Sequence, residues 1–133
     1  MTELAEALLI YGEQDEAKSV IDLALKLANR AQAKTIEARL WSLGGSLYME
    51  IGKFDAAEEL LMRALAAQLK SGLRPQVAWI EVQLSKLSHS KEDRCSTRRH
   101  LQTAYSIYKE LDVPIHVARI EDLAKKLSVT LAG

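Results

Sequence analysis

The chain has 133 residues, of which 48% are hydrophobic and 27% charged, and its formal net charge is zero. This length suits one domain that buries a core without disulfides or metals, and the composition argues against a disordered chain. Charged residues interrupt every long apolar stretch well before the roughly 20 residues that a membrane span needs. We therefore expect residues 1–133 to form a single domain that does not enter a membrane.

Helix-stopping and helix-starting residues divide the chain into seven predicted helices, and no segment predicts a strand. Gly52 and Gly72 stand where helices end, because glycine readily adopts the left-handed conformation that stops a helix. Pro114 suits the first turn of one helix, and Ser90-x-x-Asp93 resembles a capping box at the start of another. The predicted helices span residues 2–11, 14–30, 34–51, 54–71, 75–89, 91–111 and 114–130.

Apolar residues recur along the chain at intervals of forty. Two such sets are Ala24, Ala64 and Ala104, and Ile21, Leu61 and Leu101. A matching set with the spacing i, i+3, i+4, i+7, which is one face of a helix, occupies each preceding helix. The period predicts helix pairs. Their first members are here called helices A (2–11, 34–51, 75–89 and the unpaired 114–130), and their second members helices B (14–30, 54–71 and 91–111).

The middle helix pair resembles the tetratricopeptide repeat. The residues that carry the resemblance are Trp41, Gly45, Tyr48, Ala57, Leu61 and Ala64, with Leu61 in the place of the usual Phe. The resemblance implies an all-α, right-handed superhelical stack of three hairpins (about 1–33, 34–73 and 74–112) and a capping helix (113–131). The forty-residue period exceeds the usual one of about 34 and resembles that of bacterial regulatory proteins such as the maltose-regulator family. It leaves open that the chain is a piece of a longer protein.

Small residues are predicted where helix A crosses helix B. Gly45 lies between Trp41 and Tyr48 at this seam, so a bulky replacement would overpack the hairpin. Another face of the same helix is expected to pack on the preceding helix B. The residues on that face are Leu40, Leu43 and Leu47.

The resemblance also implies that the A helices line a concave groove for an extended peptide or a helix of a partner protein. The predicted groove residues are Glu6, Leu9, Arg39, Ser42, Ser46, Met49, Glu81, Ser85, Ser88 and Lys125. Trp79 is expected to pack against 54–71 beside Val82, or to enter the groove if its helix is shifted by one residue. The favoured function is a protein-interaction scaffold. The alternatives are an effector-sensing or regulatory segment of a larger bacterial signalling or transcription-regulator protein, and a solvated face that binds nothing.

The second candidate surface is a basic patch at the start of the last helix B. It comprises Lys91, Arg94, Arg98, Arg99 and His100. Cations at a helix N-terminus oppose the helix dipole, so an acidic partner would stabilise the patch, although Glu92 and Asp93 also favour a plain solvated surface. Residues 1–60 carry 11 acids and 6 bases and residues 61–133 carry 7 acids and 12 bases, so weak, salt-sensitive self-association is a further expectation. Nucleic acid is a weaker expectation, because no aromatic residues are interleaved with these cations.

Catalysis is not predicted. His89, His100 and His116 fall in separate segments, so the sequence does not bring a nucleophile, a base and an orienting group together. Cys95 lies beside Arg94, which would favour a reactive thiolate, but a buried, inert thiol is expected. Neither a zinc-ligand spacing nor a glycine-rich phosphate loop occurs. The sequence thus predicts a protein that is not an enzyme and holds no metal or cofactor, and the lone cysteine favours the reducing cytoplasm.

Overall fold

The structure is a computed structural model that describes residues 14–30 and 34–132. These residues form six helices: α1 (Gln14–Arg30), α2 (Lys34–Glu50), α3 (Phe54–Ser71), α4 (Arg74–Ser90), α5 (Arg94–Glu110) and α6 (Pro114–Lys126). The described residues contain no strand, which confirms the all-α class. The seventh predicted helix, over 2–11, lies outside them. None of the six helices has the length and apolar character that crossing a membrane requires.

The helices are evenly spaced along the chain. Each begins twenty residues after the previous one, from Gln14 to Pro114. Two consecutive helices therefore occupy forty residues, which is the interval found in the sequence. α1 and α3 have the predicted bounds, whereas α5 begins at Arg94 instead of residue 91 and α6 ends at Lys126 instead of residue 130.

Residues with a left-handed backbone end the helices. Gly52 (φ 83°), Gly72 (φ 71°), Glu92 (φ 61°) and Asp112 (φ 56°) recur at twenty-residue intervals. The prediction that the two glycines stop helices is confirmed. Glutamate takes the same conformation only against the steric preference of its Cβ, so Glu92 is strained. Ser128 (φ 57°) ends α6 in this way before the predicted residue.

Asp93 sets the start of α5. Its amide donates to the carbonyl of Ser88 (2.9 Å), as in a Schellman motif that closes α4. Its carboxylate accepts a hydrogen bond from the amide of Ser96 (3.1 Å) and so caps the N-terminus of α5. The predicted capping box is wrong at Ser90, because this residue is the last of α4 and lies before the turn.

The chain divides into two compact units, residues 1–70 and 71–133. In the first unit, α1 and α2 share a buried apolar core. Its members are Ile21, Ala24, Leu40, Leu43 and Leu47. This confirms the prediction that the three leucines of α2 face the preceding helix. The single domain and the superhelical stack stay predictions.

The helices α2 and α3 approach closely at Gly45. A Cβ atom on Gly45 would lie 2.6 Å from Cγ of Leu61 and 3.3 Å from the backbone oxygen of Ala57. Both distances are too short for ordinary contact between heavy atoms, and the backbone oxygen cannot turn away as a side chain can. The predicted close crossing at Gly45 is therefore confirmed, and glycine is required there by space.

In the second unit, α5 packs against both α4 and α6. The apolar residues buried there are Val77, Ala78, Ile80, Leu84 and Leu87 of α4, Leu101, Ala104, Ile107 and Tyr108 of α5, and Ile120 and Ala124 of α6. α6 thus buries only one narrow stripe. Its other residues lie at the surface or line the space between the helices.

Candidate functional site

The second unit contains a half-open cavity of about 380 Å³. Residues of α4 and α6 form most of its lining, together with Tyr108 of α5. A volume of this order lies in the range of sites that hold small ligands or the anchoring side chains of a partner. The cavity is therefore a candidate binding site in the described part of the chain.

The interior of the cavity is mostly aromatic and apolar, and the buried Gln83 is a polar residue that also lines it. The rings of Tyr108 and His116 stack with their centroids 4.7 Å apart and their planes at 21°. Tyr108 is buried, and burial raises the pKa of its hydroxyl, so the ring is neutral at physiological pH. Ile120 is buried beside this pair, and Leu123 is half-buried. The interior thus offers apolar contact to a side chain that enters it.

Trp79 forms the exposed edge of the cavity. It is 36% exposed, although tryptophan in a protein core is usually well covered. Trp79, Val82 and Lys86 follow the spacing i, i+3, i+7 along α4, so they share one face of that helix. The sequence predicted that Trp79 either packs on the preceding helix or lies exposed in a groove. In the structure it lines the cavity together with Val82, as part of the second unit.

Cations surround the opening. Lys86 of α4 and Arg119 and Lys126 of α6 are exposed and line the cavity. Asp122 is the only acidic residue among the lining residues. None of the three cations has a carboxylate within ion-pair distance among the described residues. The opening therefore has an excess of positive charge that attracts anionic groups.

The spacing of residues along α6 explains this combination. His116, Ile120, Leu123 and Lys126 recur at intervals of three or four residues and lie on one face of the helix. The middle two are apolar and the last is charged, so the same face supplies part of the interior and part of the rim. The sequence predicted one groove along the A helices and did not predict this site, because a helix face of mixed polarity indicates a cap as readily as a site.

The predicted groove residues do not gather at this cavity. Glu6 and Leu9 lie outside the described residues. Ser42, Glu81 and Ser85 are buried, and the two serine hydroxyls donate to carbonyls of their own helices at 3.1 and 2.6 Å. These three side chains cannot meet a partner in this conformation.

The other predicted groove residues are more accessible but lie elsewhere. Arg39 and Lys125 are exposed, and Ser46, Met49 and Ser88 are half-buried. The Ser46 hydroxyl is enclosed without a hydrogen-bond partner among the described residues. None of these five lines the cavity.

The predicted basic patch is partly neutralised within the protein. His100 Nδ1 lies 2.7 Å from Oε2 of Glu81, and Arg94 donates to the carbonyl of Ser128 (2.7 Å). The remaining members of the patch are exposed: Lys91, Arg98 and Arg99. Hydrogen bonds from Ser96, with Arg99 and His100 nearby, lower the pKa of Asp93, which keeps a negative charge among these cations. The positive charge of this surface is therefore lower than the residues of the patch alone predict.

Cys95 is exposed, so the expectation of a buried thiol is wrong. It is the second residue of α5, next to the exposed Arg94. Within the described residues, no group of three His, Cys, Asp or Glu side chains could hold a metal ion.

No protein-family model matches the chain, and no curated protein is similar enough to be its relative. The resemblance of residues 41–64 to the tetratricopeptide repeat therefore stays a prediction from the sequence.

Proposed function

We propose that the chain is a protein-interaction module that holds a segment of a partner protein at the cavity of its second unit. The observation that carries this proposal is the half-open cavity with Trp79 at its edge. Tryptophan, tyrosine and arginine dominate the binding energy of many protein interfaces, and Trp79, Tyr108 and Arg119 are gathered here. A partner side chain in this cavity would exclude water from all three.

The cavity lies between two helices that the sequence assigned to the A series, α4 and α6. This agrees with the general site that the tetratricopeptide resemblance implies, although the contributing residues are different ones. A helix or an extended segment laid across α4 and α6 would present one side chain to the cavity and its neighbours to the cationic rim.

A binding role also suits the chemistry of the cavity better than catalysis does. His116 stacks on Tyr108, and the lining residues include no serine or cysteine for it to activate. The proposed module thus binds without changing its partner covalently.

The even spacing of the helices supports the wider proposal of a right-handed superhelical stack, because solenoids are built from repeats of constant length. A cytoplasmic location and weak, salt-sensitive self-association belong to the same proposal.

The second candidate is an effector-sensing or regulatory segment of a larger bacterial protein. The size of the cavity favours it, since about 380 Å³ also accommodates a small molecule. An effector bound there would bridge α4 and α6 and stabilise one arrangement of these helices.

A random peptide library displayed on phage tests the leading proposal without knowledge of the partner. Selection on the wild-type chain should enrich peptides that bind the Trp41→Phe variant as well as they bind the wild type. The same peptides should not bind the Trp79→Ala variant. Trp41 belongs to the first unit and is the matched control. If no peptide is enriched, or if enriched peptides bind both variants alike, the proposal is contradicted. An effector sensor predicts instead that small ligands raise the unfolding temperature while no peptide is enriched.

A further inference from the structure

We infer that the partner segment is acidic and that it inserts one aromatic or branched apolar side chain into the cavity between α4 and α6. This inference rests on the proposed function and specifies the chemistry of the occupant. Two independent features of the site support it: the character of the interior and the charge of the rim.

The interior selects for an apolar side chain. Tyr108 and His116 present stacked rings, and Ile120 and Leu123 add aliphatic surface. The Gln83 amide also lines the cavity, but most of the surface that an entering side chain would meet is apolar, so a charged side chain would lose more hydration than it regains. An aromatic ring gains both area burial and ring contacts with Trp79 at the edge.

The rim selects for acidic neighbours. Lys86, Arg119 and Lys126 are exposed and have no carboxylate partner among the described residues, and Asp122 is the one acidic residue that lines the cavity with them. The basic patch on α5 is a weaker acceptor of acidic segments, because Glu81 contacts His100 and the Asp93 carboxylate lies near Arg99.

The placement of the cations indicates that the partner segment has acidic side chains both before and after the apolar residue that it inserts. Arg119 and Lys126 are seven residues apart on α6, which is about 10 Å along a helix axis, and Lys86 is on the opposite wall. One terminal carboxylate cannot contact cations that are this far apart. A segment with acids before and after its apolar residue can contact them together.

Fluorescence of Trp79 tests the inference. The chain has two tryptophans, so the variant Trp41→Phe leaves Trp79 as the only reporter. The probes are short peptides blocked at both ends, with a central Phe flanked by Glu and Asp, by Ser and Gln, or by Lys. A fourth peptide keeps the acids and has Ala in place of Phe. At low salt the acidic Phe peptide should bind most tightly and the Lys peptide most weakly, and the Ala peptide should leave the emission unchanged.

A matched pair of variants locates the charge effect. Lys125 and Lys126 are adjacent, exposed and in the last turn of α6, but only Lys126 lines the cavity. Lys126→Glu should weaken the acidic peptide about three- to tenfold, as expected for reversing one exposed charge, and Lys125→Glu should weaken it less. Raising the salt concentration should reduce the difference.

The results separate this inference from the proposed function. Equal binding of the three Phe peptides, or equal effects of the two lysine variants, would overturn the inference that the partner segment is acidic. Binding at the cavity would still stand. If no peptide of any charge alters Trp79 emission in a folded protein, both proposals are overturned.

Discussion

The Nδ1 atom of His100 lies 2.7 Å from Oε2 of Glu81 and connects α5 to α4 inside the second unit. The two side chains are only 16% and 9% exposed, so water screens the contact weakly. The sequence predicts Glu81 in a binding groove and His100 in a basic patch. Their contact occupies both side chains, and it makes them part of the packing between two helices.

A double-mutant cycle measures this contact. His100→Ala and Glu81→Ala should each lower the free energy of unfolding, because each leaves a shielded polar group without its partner. The double variant should be more stable than the sum of the two losses indicates, with a coupling energy of about 1–3 kcal/mol. Urea unfolding followed by circular dichroism provides the values. Additive losses would show that the two side chains do not interact in solution.

Gly45 should tolerate no side chain. Gly45→Ala places a Cβ atom 2.6 Å from Cγ of Leu61 and should lower the free energy of unfolding by about 1–3 kcal/mol. Gly44→Ala is the control, since its Cβ would meet the end of the Leu60 side chain at 3.1 Å, and alanine is the better helix former. It should leave stability unchanged or raise it. Equal effects of the two substitutions in urea unfolding would contradict the close crossing.

Glycine at position 92 should stabilise the protein. Glu92 has φ 61°, which glycine adopts without strain, so Glu92→Gly should raise the free energy of unfolding by up to about 1 kcal/mol. Asp112→Gly should raise the free energy of unfolding by less, because aspartate tolerates this conformation better than glutamate does. Lys91→Gly is the control. Lys91 has φ −86°, which is not a left-handed conformation, so glycine relieves no strain there and should not raise the free energy of unfolding. A thermal unfolding temperature that falls for Glu92→Gly would contradict the assigned turn.

Asp93 should make stability depend on pH in the acidic range. Hydrogen bonds from the hydroxyl and the amide of Ser96 lower its pKa in the folded protein. Its carboxylate therefore stabilises the fold above the unfolded-state pKa of about 3.9, and this contribution is lost as the pH falls through the lower folded-state pKa.

Two substitutions separate the cap from the charge at Asp93. Asp93→Asn keeps a capping oxygen but cannot titrate, so its unfolding temperature should fall less steeply with acidification than that of the wild type. Asp93→Ala should lower the unfolding temperature at neutral pH as well. If the wild type and Asp93→Asn share one acid profile, the carboxylate does not contribute as described.

Much of the fold could be predicted from the sequence because its causes are local. Glycines at 52 and 72 and the forty-residue recurrence of alanines place the helix ends and the buried faces without any long-range information. Glu92 was missed as a helix stop, since glutamate rarely adopts a left-handed backbone, and α5 was predicted to begin three residues too early.

The candidate site could be predicted only in part. The sequence predicted two alternative positions for Trp79, but its meeting with Tyr108 and with the cations of α6 depends on how three helices pack, which helical spacing alone does not determine. The burial of Glu81 and Ser85 was missed for the same reason. A polar residue on an amphipathic helix is predicted to face solvent. The prediction changes only if a buried partner, such as His100 for Glu81, is known to face it.

The most direct test of binding at the cavity uses the two tryptophan side chains as internal reporter and reference. In a nuclear magnetic resonance titration of the ¹⁵N-labelled chain with the acidic Phe peptide, the indole N–H signal of Trp79 should shift and that of Trp41 should not. Trp79 lines the cavity, whereas Trp41 belongs to the first unit. A shift confined to Trp41, or binding of the peptide that leaves Trp79 unmoved, would contradict the account.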